Sequence, residues 1–197
     1  MAAPPPHPGL APGFLVAAPA LADPNFAGSL VLMAEHHGEG ALGFVVNRPA
    51  PISVAEVLGG LDEGLRRDAE SAGRAGGALL VGGPVQPERL WILFRRATGD
   101  DLAGAVAVGE ELALGGSRDL LESLVRRPGA PFLLLLGYAG WAPMQAENEI
   151  AAGAWVPMPL ASDLVFEVPV EKRWTEAVKR LGLDPGEFLV GGGGAKA

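Results

Sequence analysis

The sequence predicts an α/β protein, in which strands and helices alternate along a chain of 197 residues. The clearest signal is a strand pair, Leu30 to Glu35 and Leu42 to Asn47, because two apolar runs flank a polar turn that contains glycine. A second signal is Phe132 to Leu136, which is apolar at every position, as is typical of a central strand buried on both faces. The third is Ser117 to Arg127, where leucines at helical spacing precede Pro128-Gly129, a pair that ends helices.

Local signals predict further elements in the first half of the chain. Gly13 to Ala17 is predicted to be a short strand. Ser53 is a suitable helix N-cap, and Glu56 follows three residues later, so a capping box is expected to open a helix that runs to about Leu58. The charged, Gly-rich segment Gly64 to Gly77 is predicted to be a short surface helix or a loop.

The second half of the chain shows signals of the same kind. Pro143 is expected to open a helix that runs to about Ala152, because proline costs little in a first helical turn, where its missing N–H has no partner. The other expected elements are the strands Leu79 to Gly82, Leu90 to Arg95, Ala105 to Val108 and Val165 to Val168, and a helix from Val170 to Leu181.

The chain contains no internal repeat and no convincing linker, so one domain is expected at residues 10–190. Residues 1–9 are Pro-rich and are expected to form a disordered tail, and residues 191–197 a flexible one. The N-terminus has no basic region, and prolines interrupt any apolar stretch, so no signal peptide is expected. The apolar runs are far shorter than the about 20 residues of a transmembrane helix. A cytoplasmic protein with no membrane partner is therefore expected.

The charge balance argues against direct DNA binding. With 23 acidic and 15 basic residues the net charge is −8, which opposes a phosphate backbone. Three arginine pairs, at positions 66–67, 95–96 and 126–127, lie far apart and near the ends of predicted elements, as solvated charges usually do. No direct, specific DNA binding is expected.

Several short motifs occur in a characteristic order along the chain. They are Pro12-Gly13-Phe14-Leu15, Asp23 to Ser29, His36 with Gly40-Ala41-Leu42-Gly43, Asn47-Arg48-Pro49, Gly82-Gly83-Pro84-Val85, Gly137 to Trp141, Gln145-x-Glu147-x-Glu149-Ile150, Ala154-Trp155, Arg173-Trp174 and Leu181 to Pro185. No single motif is specific, but their order and spacing together are. From about Pro12 to Leu189 the chain resembles the YqgE/AlgH family of bacterial proteins.

This resemblance implies an α/β domain (α+β-like) in which a mixed, largely antiparallel sheet curls into a barrel-like core with flanking helices. It implies little about activity, because the family is largely uncharacterised. One branch is labelled as a transcriptional regulator of genes for alginate-type polysaccharides, a label that names no mechanism.

The turn Glu35-His36-His37-Gly38-Glu39 offers imidazole and carboxylate groups, which are metal ligands in many proteins. Adjacent residues at a strand end point to opposite faces, however, so both histidines reach one ion only if the backbone turns sharply. The remaining histidine, His7, lies in the Pro-rich segment, and zinc sites use three or four protein ligands. The expectation is therefore no metal, with His36 buried and hydrogen-bonded and His37 exposed.

Covalent and nucleotide chemistry have no specific sequence support. Cysteine is absent and no serine lies in a Gly-x-Ser-x-Gly elbow. The Gly-rich segments at Gly82-Gly83 and Gly191 to Gly194 match neither of the common phosphate-binding motifs. No cofactor is expected.

A ligand site is more plausible where several motifs end strands, because sites in α/β sheets tend to lie beyond strand ends. Arg48 could bind an anion, and Tyr138 and Trp141 could form aromatic walls. The structural alternative is that Asn47 pins a turn, the glycines adopt positive φ, and Trp141 fills the core, and we expect the Trp141 ring to be mostly buried. The candidate ligand-binding residues are His36, Asn47, Arg48, Gly83, Tyr138, Trp141 and Gln145.

Three classes of function remain open. The first is a non-enzymatic binding or regulatory protein with an unknown protein or small-molecule partner, acting as an indirect regulator of gene expression. The alternative is a small enzyme with an acid/base site near His36 and Asn47. Direct DNA binding is third, because the chain is acidic and shows no helix-turn-helix signal.

Overall fold

The computed structural model describes residues 9–191, apart from 76, 78, 97–103, 128 and 130 and the side chains of 190 and 191. The two predicted tails thus lie largely outside the described residues. Pro128, which follows a predicted helix, also lies outside them.

The described residues form nine strands, seven α-helices and one 3-10 turn. The strands are β1 (Gly13–Ala17), β2 (Leu30–His37), β3 (Gly40–Val45), β4 (Leu79–Val81), β5 (Val85–Arg95), β6 (Val106–Val108), β7 (Leu112–Gly115), β8 (Phe132–Trp141) and β9 (Trp155–Pro159). The helices are α1 (Val54–Leu61), α2 (Glu63–Ser71), α3 (Arg118–Arg126), α4 (Gln145–Ala151), α5 (Ser162–Phe166), α6 (Arg173–Arg180) and α7 (Pro185–Gly191), with the 3-10 turn at Val170–Lys172.

One curled sheet contains all nine strands, in the order β6-β7-β5-β8-β3-β2-β1-β9, with β4 paired to β8 outside this path. Every pairing along the path is antiparallel, and β4 lies parallel to β8. The expected mixed, largely antiparallel sheet with flanking helices is confirmed. Among the described residues, none of the helices has the length and apolar composition of a membrane-spanning segment.

Both faces of the sheet are covered around β1, so every residue of that strand is buried. Phe14 and Val16 pack into a cluster that includes Val178 of α6, whereas Leu15 and Ala17 pack with Trp141 on the other face. This two-sided burial follows from the period-2 alternation of a strand whose two faces are both apolar.

Strand β8 is central, as predicted, and it contacts three other strands. Leu133 and Leu135 face one core cluster and Leu134 faces another, which also contains buried residues of α1, α2 and α3. The strand pairs with β5 as far as Tyr138, and with β3 from Ala139 onward. β8 therefore joins the two halves of the sheet.

The predicted capping box at the start of α1 is confirmed. The Glu56 N–H donates to Ser53 Oγ at 3.2 Å, and the Ser53 N–H donates to Glu56 Oε2 at 2.7 Å. The hydrogen bond from the Ser53 backbone holds the pKa of Glu56 below its usual value.

Two local predictions are wrong. Val165 to Val168 is not a strand, since Ser162–Phe166 is helix α5, which buries Leu164 and Val165. Short apolar runs do not distinguish the two structures, and here packing against α6 decides. Helix α4 begins at Gln145 rather than Pro143, because Met144 has a left-handed φ of 61° that interrupts helical geometry.

Three elements were not predicted at all: β7, β9 and α7. Strand β9 contains Pro157 and Pro159, which normally argue against a strand because proline lacks a ladder donor. Proline is tolerated in β9 because β9 is an edge strand that pairs only with β1. The edge position thus explains both the missed prediction and the use of proline there.

Candidate functional site

His36 lies near the end of β2 with a side chain that is only 10% exposed, and both of its ring nitrogens have partners. The Leu10 N–H donates to Nδ1 at 3.1 Å, and Nε2 lies 2.8 Å from Glu147 Oε1. Because a backbone N–H can only donate, Nδ1 acts as the acceptor and the ring proton of the neutral imidazole lies on Nε2, where it donates to Glu147. The hydrogen bonds therefore assign a single tautomer.

The His36–Glu147 pair forms one wall of a cleft of about 530 Å³. This volume is within the range of small-molecule sites, about 300–1,000 Å³, which are mostly apolar with a few polar groups. The cleft lies between residues 9–13, helix α4 and edge strand β9. Its larger apolar lining residues are Leu10, Pro12, Ile150, Pro157, Met158 and Pro159.

Glu149 anchors helix α4, which presents Glu147 to the cleft. Its Oε2 accepts hydrogen bonds from the indole nitrogens of Trp141, at 3.0 Å, and Trp155, at 2.8 Å. Its Oε1 accepts a third from Gln145 Nε2 at 2.8 Å. Charge-assisted bonds from two tryptophans of different strands hold the helix against the sheet end. The position of Glu147 thus depends on this network.

Trp141 is 6% exposed, so the expectation that its ring is mostly buried is confirmed. The ring centroid lies 6.0 Å from that of Phe26 and 6.1 Å from that of Trp155. Gln145 is exposed, and its Oε1 also accepts from the Ala142 N–H at 3.0 Å. Neither Trp141 nor Gln145 lines the cleft, but both belong to the network that positions it.

Asn47 and Arg48 lie at the far end of β2 from His36. Asn47 Oδ1 accepts from the Leu30 N–H at 2.8 Å, and Arg48 Nη1 donates to the Asn25 carbonyl at 2.6 Å. Leu30 and His36 are six residues apart on one strand, a span of about 20 Å. The two predicted residues therefore pin the turn before β2, and the structure does not bring them to His36.

Gly83 and Tyr138 lie together at the junction between β4, β5 and β8. A Cβ atom on Gly83 would lie 2.2 Å from the Tyr138 carbonyl carbon, so only glycine fits there. The Tyr138 ring meets Trp91 edge-on at 6.3 Å. Neither residue lines the cleft at His36.

His37 is 58% exposed and its Nε2 lies 4.0 Å from Glu35 Oε2, which confirms that the two histidines differ in burial and point apart. Within the part of the chain that the structure describes, no group of three or more histidine, aspartate or glutamate side chains is placed to hold a metal ion.

The sequence motifs point to His36 but not to its partner. Glu147 lies 111 residues away, and no spacing rule connects the two positions. The one available signal was the Gln145-x-Glu147-x-Glu149 motif, in which two acidic residues on a short helix point in different directions. Leu10 and the prolines of β9 carried no site signal.

Comparison with known proteins identifies the family of this chain. The AlgH-like family profile, DUF179, matches residues 14–186. The chain belongs to the AlgH-like family. A UPF0301 protein from Anaeromyxobacter sp. (strain Fw109-5) is 76% identical over 192 residues, which cover 96% of each chain. A UPF0301 protein from Azoarcus sp. (strain BH72) is 40% identical over 173 residues, 87% of this chain and 88% of that one. The resemblance to the YqgE/AlgH family is thereby confirmed.

Solved structures agree with this assignment. The solution structure of AlgH from Pseudomonas aeruginosa is similar with a TM-score of 0.72 and 32% identity, covering 100% of this chain and 98% of that one. The crystal structure of DIP2367 from Corynebacterium diphtheriae has a TM-score of 0.70 at 24% identity, covering 96% of this chain and 93% of that one, which shows the shared fold alone. The names of these two proteins state no activity.

Proposed function

We propose that this AlgH-like protein is a non-enzymatic binding protein. Its cleft between residues 9–13, α4 and β9 takes a ligand with an apolar body and one positively charged N–H donor. The observation that carries the proposal is that both nitrogens of His36 are engaged, by Leu10 and Glu147, at one wall of an apolar cleft. The imidazole thus acts as a fixed part of the wall.

The same geometry gives less support to the alternative of an acid/base enzyme. A general base needs an available lone pair within reach of substrate, and the lone pair of Nδ1 accepts from the Leu10 N–H. The described lining residues include no serine, threonine, cysteine or lysine to act as a nucleophile. Asn47, the second residue of that hypothesis, lies about 20 Å away along β2.

The charge of the ligand follows from Glu147. Glu147 is the acidic side chain among the described residues that line the cleft, and it remains 25% exposed there. The overall charge of −8 also favours the approach of cations. An ammonium group beside Glu147, with its apolar part against Ile150 and Met158, would match the cleft.

A titration with 2-phenylethylamine tests this proposal. In amide NMR spectra of the whole chain we expect saturable shifts at His36, Glu147 and Ile150. The variant Glu147→Gln should bind about tenfold more weakly, because a charge-assisted hydrogen bond becomes a neutral one. Glu39→Gln removes the same charge from the exposed β2–β3 turn and should bind like the natural protein. Equal binding by both variants, or shifts outside the cleft, would refute the proposal.

We further propose that the protein acts in the cytoplasm and that any effect on gene expression passes through a bound partner. The net charge of −8 supports this, because it opposes contact with duplex DNA. In mobility-shift assays the isolated protein is expected to leave duplex DNA unshifted at physiological salt. Tight, sequence-selective retardation would contradict the proposal and indicate direct regulation.

A further inference from the structure

Arg173, the first residue of α6, is a charged side chain in the protein interior. It is only 4% exposed, its Nε donates to the Val168 carbonyl at 3.0 Å, and its Nη1 donates to the Val46 carbonyl at 2.5 Å. Among the described residues no carboxylate forms an ion pair with it, and Nη2 has no hydrogen-bond partner. Burial lowers the pKa of Arg173 to about 10, although the charge of Glu171 opposes this shift. A buried cation without a counter-ion is costly.

Arg173 also lines a second cleft, of about 360 Å³, between α1, the end of α2, the start of β8 and α5. Arg74 lines the same cleft, with its guanidinium 5.5 Å from the centroid of the Phe132 ring and its Nη2 donating to the Arg127 carbonyl. Phe132 and Phe166 are half-buried walls. No acidic side chain occurs among the described residues that line this cleft. It thus combines two cations with aromatic and aliphatic walls.

We propose that this second cleft binds an organic anion, a carboxylate attached to a single aromatic ring or a branched apolar group. The planar carboxylate would meet the unpartnered Nη2 of Arg173, because guanidinium and carboxylate groups match in geometry. The apolar part would lie against Phe132 and Phe166. A bound anion would also supply the counter-ion that Arg173 lacks. The site shares no lining residue with the cleft at His36, so the two binding proposals can be tested independently of each other.

A purely structural role for Arg173 is the competing explanation. Its two carbonyl partners connect the start of α6 to the end of β3, and such a connection would stabilise the fold without any ligand. The structural role accounts for Nε and Nη1, and Arg74 also has a structural contact, since its Nη2 donates to the Arg127 carbonyl. Neither contact accounts for the absence of acidic side chains among the described residues that line the cleft. Another cleft, at Arg95, shows the contrast, because four acidic side chains line it as well.

Titration of the whole chain with 3-phenylpropionate, followed by amide and arginine side-chain NMR signals, tests the proposal. Saturable shifts are expected at Phe132, Phe166 and Arg173, and the neutral analogue 3-phenylpropionamide should bind at least tenfold more weakly. Inorganic phosphate should also bind more weakly than the carboxylate, because it offers no apolar group to the walls. Absence of a saturable shift up to about 10 mM, or equal binding of the amide, would overturn the proposal.

Variants separate the site from a structural role. Arg173→Gln tests the buried cation directly, but it removes two hydrogen bonds to carbonyls and is expected to weaken the fold. Arg74→Gln changes the half-buried second cation and is expected to weaken binding of 3-phenylpropionate about fivefold to tenfold. Arg89→Gln removes an exposed arginine that stacks on Trp91 outside the cleft and should leave binding unchanged. Equal affinity of the Arg74→Gln and Arg89→Gln proteins would refute the anion site.

Discussion

Replacing Trp141 with alanine is expected to lower the free energy of unfolding by about 3–5 kcal/mol, the range for removal of a large buried aromatic side chain. The ring is 6% exposed and packs against Phe26 and Trp155, so its loss would leave a cavity between them. Its indole N–H also satisfies Glu149, which would lose one of its three donors. Urea denaturation followed by far-ultraviolet circular dichroism measures the change.

Two control variants separate the effect of losing the buried ring from the effects of losing its hydrogen bond or a nearby exposed side chain. Trp141→Phe keeps most of the ring and removes the hydrogen bond, so it should cost less than the alanine variant. Met144→Ala, three residues away, removes a side chain that is 55% exposed and should change stability by no more than about 0.5 kcal/mol. If the free energy of unfolding of Trp141→Ala lies within about 1 kcal/mol of that of the natural protein, the ring does not stabilise the core as expected.

The same aromatic cluster connects stability to the cleft. Glu149 receives bonds from Trp141, in β8, and Trp155, in β9, and it lies on the helix that carries Glu147. A change at Trp141 should therefore disturb the ligand binding proposed at His36, even though the ring does not line that cleft. A loss of stability and a loss of the proposed binding are therefore expected to occur together, through α4.

Local signals predicted elements correctly where residues close together in the sequence determine the conformation. The helix at Ser53 is an example, because the capping box is complete within four residues. The strand Gly13–Ala17 is another, since five small or apolar residues are covered on both faces. Helix α5 was missed because its apolar residues are also compatible with a strand, and only packing against α6 decides.

Long-range contacts account for the part of the site that sequence could not predict. His36 was a candidate because of its motif, but its role depends on Glu147 and on the backbone N–H of Leu10, 26 residues earlier. The side chain of Asn47 bonds to the turn before β2, as the structural alternative expected, and the side chain of Arg48 bonds to the same turn. Sequence spacing indicates neither relation, because each depends on how the sheet is assembled.

The second large effect is expected at the point where β8 changes its partner strands. Gly137 has a φ of 69°, which is left-handed and strained for any residue with a side chain, at about 1–2 kcal/mol. A Cβ atom there would also lie 2.5 Å from the Gly83 carbonyl oxygen and 2.9 Å from that of Val85. Both are backbone atoms, one in the connection between β4 and β5 and one at the start of β5, so neither can rotate away as a side chain would.

Gly137→Ala should therefore lower the free energy of unfolding by about 2–5 kcal/mol, the sum of backbone strain and about 1–3 kcal/mol for overpacking. Gly182→Ala is the matched control, because Gly182 has a similar φ of 76° and no atom within 4 Å of a new Cβ. The control carries the strain without the clash and should cost only about 1–2 kcal/mol. Urea denaturation of both variants measures the difference. If Gly137→Ala costs no more than Gly182→Ala, the two halves of the sheet do not need the close approach of Gly83 and Gly137.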